Sequence, residues 1–299
     1  MINKTVTAQL IQIIPCQCQL GESVLWHVEQ QAIYWLDIEK CNLYRFFIVN
    51  QAVEKFALPQ RMGSFSFTKN DNQIIAAFEQ GIARYDLNTS QLIWLTQPEY
   101  HVVGNRFNDG KTDRQGRFWA GTMVESATIS TQSAALYCID HQLDCHKKIT
   151  NLQISNGLCW NKTGDILYHS DSLTHEIFQY DFCKYTAKIT NKRLFARTDA
   201  SAFPDGSTID AQGYLWNAQW GSSKVVRYND DGEIDFSITL PVSQPSCVAL
   251  GGPNLDWLII TSAKQGLSQH DLTQKPLSGD VFIYQLQGVT GLVEPKCTI

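Results

Sequence analysis

The sequence predicts an all-β protein, a six-bladed β-propeller with four-stranded antiparallel blades around a central channel, and three observations carry that expectation. Almost every segment alternates with a period of two, is rich in Tyr, Trp, Phe, Ile and Val, and shows no sustained helical periodicity. A strand, a short polar turn and a second strand ending in Asp, Asn or Gly recur six times, at the roughly 40–50-residue spacing of propeller blades. Six such blades use up all 299 residues, so residues 1–299 are expected to form a single domain with no linker.

The first unit runs from the strand 32–37 to 42–46, and the second from 74–77 to 81–86. Both have the short polar connection of a hairpin. The third pairs 118–122 with 135–140, the fourth 166–169 with 176–181, the fifth 215–218 with 224–228 and the sixth 258–261 with 280–284. One strand is left over ahead of the first unit, 5–14. It is expected to supply the outer strand of the sixth blade, because an unpaired strand edge invites association and a closed ring removes it. The insert 124–134, full of Ser, Thr and Ala, is too polar for a strand and is expected to be a lid-like loop over one face.

Composition narrows the function classes. Hydrophobic residues make up 43% of the chain, with 8 Trp, 11 Tyr and 14 Phe, against 18% charged, which suits a large buried core rather than disorder. A net charge of −5 offers no broad basic surface for nucleic acid or anionic membrane, so a small molecule is the expected partner. Nine Cys without a C-x-x-C pair, and no signal-like h-region near Lys4, point to reduced thiols and a cytoplasmic location. No stretch approaches the ~18 apolar residues of a membrane span.

The densest polar stretch is 105–123, NRFNDGKTDRQGRFWAGTM. Asn-Asp-Gly and Asp-Arg-Gln-Gly within it are strong turn signals, and a hydrated surface turn would account for either. The pattern returns in 204–216, PDGSTIDAQGYLW, where Asp-Gly, Thr, Asp, Gln-Gly and Trp repeat with one inserted residue relative to Asp109 through Trp119. Glu22 stands four residues before Trp26, and Asn156, followed by Gly157, four before Trp160. In a propeller the innermost strands line the channel, so Glu22, Asn108 or Asp109, Asn156 and Asp205 are expected around one point. Carboxylate and amide oxygens without Cys or His suit calcium, magnesium or manganese better than a tetrahedral zinc site. The chain carries no G-x-S-x-G, H-E-x-x-H, P-loop or dinucleotide fingerprint.

These residues resemble the SMP-30/gluconolactonase/LRE-like family, which includes regucalcin and bacterial sugar-acid lactonases. The likeness rests on Gly21-Glu22-Ser23-Val24-Leu25-Trp26, on Arg106-Phe107-Asn108-Asp109-Gly110-Lys111 with Gly121-Thr122-Met123, on Ser155-Asn156-Gly157-Leu158-Cys159-Trp160 and on Pro204-Asp205-Gly206. It extends to Asp171-Ser172 and to 245–252. The resemblance implies a metal-binding hydrolase of carbohydrate metabolism that opens sugar-acid lactones such as gluconolactone or a related pentono- or hexonolactone. One divalent cation, calcium first with zinc, magnesium, manganese or iron open, would be held by Glu22, Asn156 and Asp205. Asp205 is implied to be catalytic, and Arg106, Asn108 and Glu125 to bind substrate, although relatives often carry an acidic pair where this chain has Val124-Glu125-Ser126. The expected assembly is a monomer or weak homodimer. Two other readings stay open: a calcium-dependent phosphotriesterase or other lactonase, and a non-catalytic metal-binding propeller of the regucalcin type. A lactone is a cyclic ester, and a metal that polarises the carbonyl and activates water would explain the missing Ser and His machinery.

Overall fold

The computed structural model of the protein describes residues 6–125 and 133–299. The chain begins with β1 (Thr7–Ile14) and then lays down its strands in consecutive groups. These are β2–β5 (Gly21–His27, Ala32–Asp37, Asn42–Phe47, Val53–Ala57) and β6–β9 (Met62–Phe67, Gln73–Phe78, Gly81–Asp86, Leu92–Thr96). Next come β10–β13 (Asn105–Thr112, Phe118–Val124, Ala134–Ile139, Cys145–Leu152) and β14–β17 (Ser155–Trp160, Ile166–Asp171, Glu176–Cys183, Lys188–Arg197). The last are β18–β21 (Phe203–Ile209, Leu215–Trp220, Lys224–Tyr228, Ile234–Thr239) and β22–β24 (Pro245–Gly251, Trp257–Ser262, Val281–Gln287). A six-residue helix, α1 (Gln269–Gln274), interrupts the connection between β23 and β24.

Each group is one antiparallel sheet of four strands in sequence order, and the sixth is completed by β1 against β24. The leftover N-terminal strand therefore plays its expected part from Thr7 onward. Two compact units divide the chain: Met1–Lys55 with Thr198–Val293, and Phe56–Arg197 with Glu294–Ile299. The predicted hairpins are the second and third strands of each sheet, and burial explains why they stand out. β3 and β12 are buried along their whole length, so their sequences are nearly continuous apolar runs. The fourth strands are mostly exposed, as in β5 and β21, and carry charge that blunts a sheet edge.

Aromatic packing and buried ion pairs tie each unit together. Trp119, Trp160 and Phe182 meet edge to face with centroids 5.5, 5.6 and 5.8 Å apart, each contact contributing about 0.5–1.5 kcal/mol beyond the area it buries. The second Asp of the repeated pattern is part of this frame. Asp113 accepts from Trp119 Nε1 (2.9 Å) and Arg117 Nε (2.6 Å), and Asp210 from Trp216 Nε1 (3.0 Å) and Arg227 Nε (2.8 Å). The Asp-Arg-Gln-Gly signal is a real turn, closed by Gly116 N–H on Asp113 O. Asn-Asp-Gly is not a turn: it lies inside β10, as Pro-Asp-Gly lies inside β18.

What replaces the turn is a bulge. The first strand of every sheet slips register once against its neighbour, at 22/25, 62/64, 107/110, 156/159, 204/207 and 245/248. Extra residues there leave the ladder and re-aim their side chains. Counting by register, Asp205 is the first bulged residue of β18 and Asn108 the first of β10, which puts Asp113 level with Asp210. The one-residue insertion inferred by matching Asp-Gly to Asp-Gly is therefore absent, and the counterpart of Asp205 is Asn108 rather than Asp109.

Candidate functional site

In the Phe56–Arg197 unit the candidate residues form one hydrogen-bonded run. Arg106, buried in β10, donates Nε to Glu125 Oε1 (2.9 Å) and Nη1 to both Phe107 O (3.0 Å) and Asn108 Oδ1 (2.9 Å). Asn108 Nδ2 donates to Ser155 O (3.1 Å) and Asn156 Oδ1 (3.2 Å), and Asn156 Nδ2 to Ser172 Oγ (2.9 Å). The bulge in β10 turns Asn108 toward β14, and the bulge in β14, with Gly157 at φ +63°, begins immediately after Asn156. A left-handed residue is costly for anything but glycine, which accounts for Asn-Gly at that point.

Hydrogen bonding assigns these side chains their remaining chemistry. Both Asn108 amide hydrogens are committed, so Asn108 meets a ligand as an acceptor. Arg106 has spent three of its five N–H groups within the described residues, leaving Nη2 as its donor arm. Burial works to raise the Glu125 carboxyl pKa, but the bonds and charges of Arg61 and Arg106 outweigh it and hold Glu125 below the ordinary carboxylate range. Asp109 behaves differently. Burial raises its pKa against the opposing pull of the Leu158 N–H, which it accepts at 2.8 Å, so it links β10 to β14 as a structural group.

In the other unit Glu22 is the last paired residue before the bulge of β2, and its Oε2 accepts the N–H of Ser23, which sits at φ +50°. Asp205 is buried in β18, and Asn217 Nδ2 from β19 holds its backbone oxygen at 2.8 Å while also reaching Ser207 Oγ at 3.0 Å. Glu22 and Asn156 thus occupy the same register position, and Asp205 and Asn108 the next one along.

The donor chemistry fits a hard cation. The carboxylates of Glu22 and Asp205 and the amide oxygen of Asn156 are all oxygen donors, the preference of calcium, magnesium or manganese. Donation of Asn156 Nδ2 to Ser172 fixes which end of the amide is the oxygen and turns it to the Asn108 side. Among the described residues no group of three or more His, Cys, Asp or Glu gathers as a metal cluster.

Sequence reasoning missed Arg61, and it named Ser172 within the family likeness without its bond to Asn156. Arg61 immediately precedes β6, and its two terminal nitrogens meet Glu125 Oε1 (2.7 Å) and Oε2 (2.8 Å), while Nε and Nη2 also bind Glu79 (3.0 and 2.8 Å). Nothing in its local sequence separates it from a surface arginine. Ser172 follows Asp171, whose two oxygens accept Gln153 N and Ile154 N at 2.9 Å. The expected loop 124–134 lies outside the described residues from 126 to 132.

Six four-stranded antiparallel sheets, the last completed by β1 on β24, are the blades of a β-propeller. Residues 20–264 match the family described as SMP-30/Gluconolactonase/LRE-like region. An L-arabinolactonase of Azospirillum brasilense is 34% identical over 268 residues, 89% of this chain and 88% of the relative. A 6-deoxy-6-sulfogluconolactonase of Pseudomonas putida is 32% identical over 278 residues, 92% and 94% of the two chains. A solved structure described as a calcium-binding protein, regucalcin, from Agrobacterium tumefaciens superposes with a TM-score of 0.89 at 26% identity, covering 97% of this chain and 98% of that one. The chain belongs to the SMP-30/gluconolactonase/LRE-like family, and its fold class is the six-bladed β-propeller.

Proposed function

We propose that this chain is a lactonase that hydrolyses sugar-acid lactones to the free sugar acids, with Glu22, Asn156 and Asp205 holding one divalent cation, calcium by preference. The observation that carries the reading is the run from Glu125 through Arg106 and Asn108 to Asn156. A structural ion has no need of an arginine, an acceptor amide and an ionised carboxylate hydrogen-bonded in series beside one of its ligands, whereas a polyhydroxylated ring does. Relatives named as lactonases for arabinose- and gluconate-derived rings support the substrate class. The regucalcin neighbour, described as calcium-binding, supports the choice of cation. The reading treats residues 1–299 as one domain, acting as a monomer or weak homodimer. The setting in this reading is the reducing cytoplasm, where cysteine thiols persist. No helix among the described residues is long and apolar enough to cross a membrane.

A bound cation would polarise the lactone carbonyl and make water acidic enough to attack it near neutral pH. The side chains do the rest. Arg106 Nη2 donates to a ring hydroxyl or the ring oxygen, while Asn108 Oδ1 and Glu125 accept from hydroxyls, and together they hold the ring for attack on one face. Asp205 orients the incoming water, accepts its proton through a carboxylate oxygen and returns it to the ring oxygen as the acyl C–O bond breaks. A carboxylate that also binds a cation is a weak base, so its part is mainly orientation.

The test is proton release from a panel of aldonolactones by chelator-stripped protein, with single divalent ions added back and spontaneous hydrolysis subtracted. Metal-restored turnover that Asp205→Asn lowers by about 100-fold or more at saturating metal, with the melting temperature kept, is the expected result. Wild-type rates in that variant would remove Asp205 from catalysis. An unchanged calorimetric metal titration in Glu22→Ala would remove Glu22 from the cation site.

A further inference from the structure

Arg61 lies outside the motifs quoted for the family likeness, yet it makes two hydrogen bonds to Glu125, one of the candidate substrate residues. Its guanidinium faces Glu125 edge on, with two parallel bonds of 2.7 and 2.8 Å, the fork geometry in which arginine recognises a carboxylate. Glu79, in the turn after β7, accepts Arg61 Nε and Nη2 from the other side at 3.0 and 2.8 Å. Glu125 is thus gripped by Arg61 from the N-terminal side of β6 and by Arg106 from β10, and Arg61 is itself anchored by Glu79.

We propose that Arg61 is a positioning residue that sets substrate specificity, by holding Glu125 as a fixed, ionised acceptor for the hydroxyl groups of a polyhydroxylated lactone. The proposal rests on the lactonase reading given above. Its logic is one of counting. A carboxylate has about four acceptor positions, and three are occupied by Arg61 Nη1, Arg61 Nη2 and Arg106 Nε. Among the described residues the position left is on Oε2, so Glu125 accepts a hydroxyl hydrogen from one side. The two arginines and two carboxylates of the cluster balance in charge, so the acceptor attracts a neutral hydroxyl without presenting an uncompensated anion to the ring. Asn108 Oδ1 adds a second acceptor beside it, and a lactone with two neighbouring hydroxyls satisfies both. A ring without hydroxyls leaves both unsatisfied, which is where a hydrogen-bonding site discriminates most strongly.

Glu125 faces the charged groups Arg61 and Arg106 and, through Arg61, Glu79. Removing Arg61 takes away two of the three bonds that stabilise the ionised form, so its pKa rises toward the ordinary carboxylate value and the acceptor is lost at a higher pH.

The experiment compares wild type, Arg61→Met, Arg61→Lys, Glu125→Ala and the double variant Arg61→Met with Glu125→Ala. Each is assayed on an aldonolactone and on an unhydroxylated lactone of the same ring size, with melting temperatures as a control for folding. The expected result is a rise of about tenfold in KM for the aldonolactone in Arg61→Met, with kcat within about twofold, no change for the unhydroxylated ring, and a further rise in KM as pH falls below about 5. Arg61→Lys, which keeps charge but not the fork, is expected to recover part of the loss, and the double variant to be no worse than Glu125→Ala. Equal losses on both rings, or losses in the double variant that multiply, would show that Arg61 acts on the frame and overturn the proposal. Wild type inactive on every lactone would instead overturn the lactonase reading and this proposal with it.

Discussion

The hydroxyl of Ser155 and Nε2 of His169 lie 2.8 Å apart, with both side chains shut away from solvent. The spacing is that of a serine nucleophile and its base, but neither group faces solvent, and burial has pushed the His169 pKa down to about 3. A serine-directed sulfonyl fluoride is therefore expected to leave turnover and intact mass unchanged; an adduct at Ser155 with loss of activity would contradict this.

His169 also contributes to acid stability. His169 stays neutral in the folded protein to about pH 3, while in the unfolded chain it takes up a proton near its ordinary 6.5. Its folded pKa is depressed, so the stability linked to it is fully present above about pH 6.5 and drains away as pH falls toward 3, at up to about 1.4 kcal/mol per pH unit. Urea titrations across pH 7 to 4 are expected to show a shallower slope in His169→Gln. An unchanged slope would assign the acid loss to other groups.

Asp210 is a point where one carboxylate carries a whole corner. It receives Trp216 Nε1, Arg227 Nε and the N–H groups of Gln212 and Tyr214 (2.9 and 3.0 Å), all from the turn and neighbouring strands of one sheet. Asp210→Ala leaves the buried Arg227 guanidinium without that partner, and is expected to cost about 3–5 kcal/mol in a denaturant titration. Asp210→Asn keeps some of the acceptors and is expected to cost less. Equal, small losses in both would mean that Asp235, which also binds Arg227, suffices alone.

Gly121 of β11 packs directly against Ser155 of β14. A Cβ built there would lie 1.9 Å from Ser155 Oγ and 2.3 Å from its Cβ, so Gly121→Ala must push Ser155 aside, at a cost of about 1–3 kcal/mol. Ser155 also supplies the carbonyl that Asn108 binds, which makes activity fall along with stability. Adding Ser155→Gly removes both clashing atoms and is expected to restore part of the melting temperature. Ser155→Ala leaves the clashing Cβ in place and is not expected to.

Ser23 and Gly157 follow Glu22 and Asn156 and share a left-handed backbone, at φ +50° and +63°. Serine bears a strain there that glycine does not, so Ser23→Gly is expected to hold stability level or raise it by up to about 1 kcal/mol. Gly157→Ala is expected to cost about 1–2 kcal/mol. Opposite signs measured by thermal melting would mean that the conformation is not what fixes these two residue types.

The sequence announced those strands whose both faces are buried. Ala32–Asp37 and Ala134–Ile139 have little choice but to be apolar and β-branched or aromatic, and so they repeat visibly. Fourth strands such as Val53–Ala57 meet water and resemble loops. The candidate residues were legible because Arg106, Asn108, Asn156 and Asp205 sit in recurring polar motifs, but the motifs mix two jobs. Asp113 and Asp210, from the same repeated pattern, belong to the frame. Bulges cannot be counted from residue types alone, which is why Asp109 rather than Asn108 was matched to Asp205. Arg61 could not be found at all, since its role depends on Glu125, far along the chain and brought near only by folding.

The register slips of the first strands have a consequence for how such a protein acquires new chemistry. In a regular strand a side chain is bound by alternation, and altering one position disturbs the packing of its neighbours on both faces. A slip releases one position per sheet from that rule, so each sheet carries a socket whose occupant is exchangeable while the scaffold stays as it was. Four of the six carry a side chain at the first slipped residue, Ser23, Asn108, Asp205 and Ser246, and a fifth holds Gly157 in a left-handed backbone. In the sixth, at Gly63, a Cβ would lie 2.5 Å from Asn108 O, and the socket is plugged by a neighbouring backbone. Changing the ligand on this scaffold is then a matter of re-dressing four addresses, and relatives named for two different lactones are what such an arrangement would leave behind.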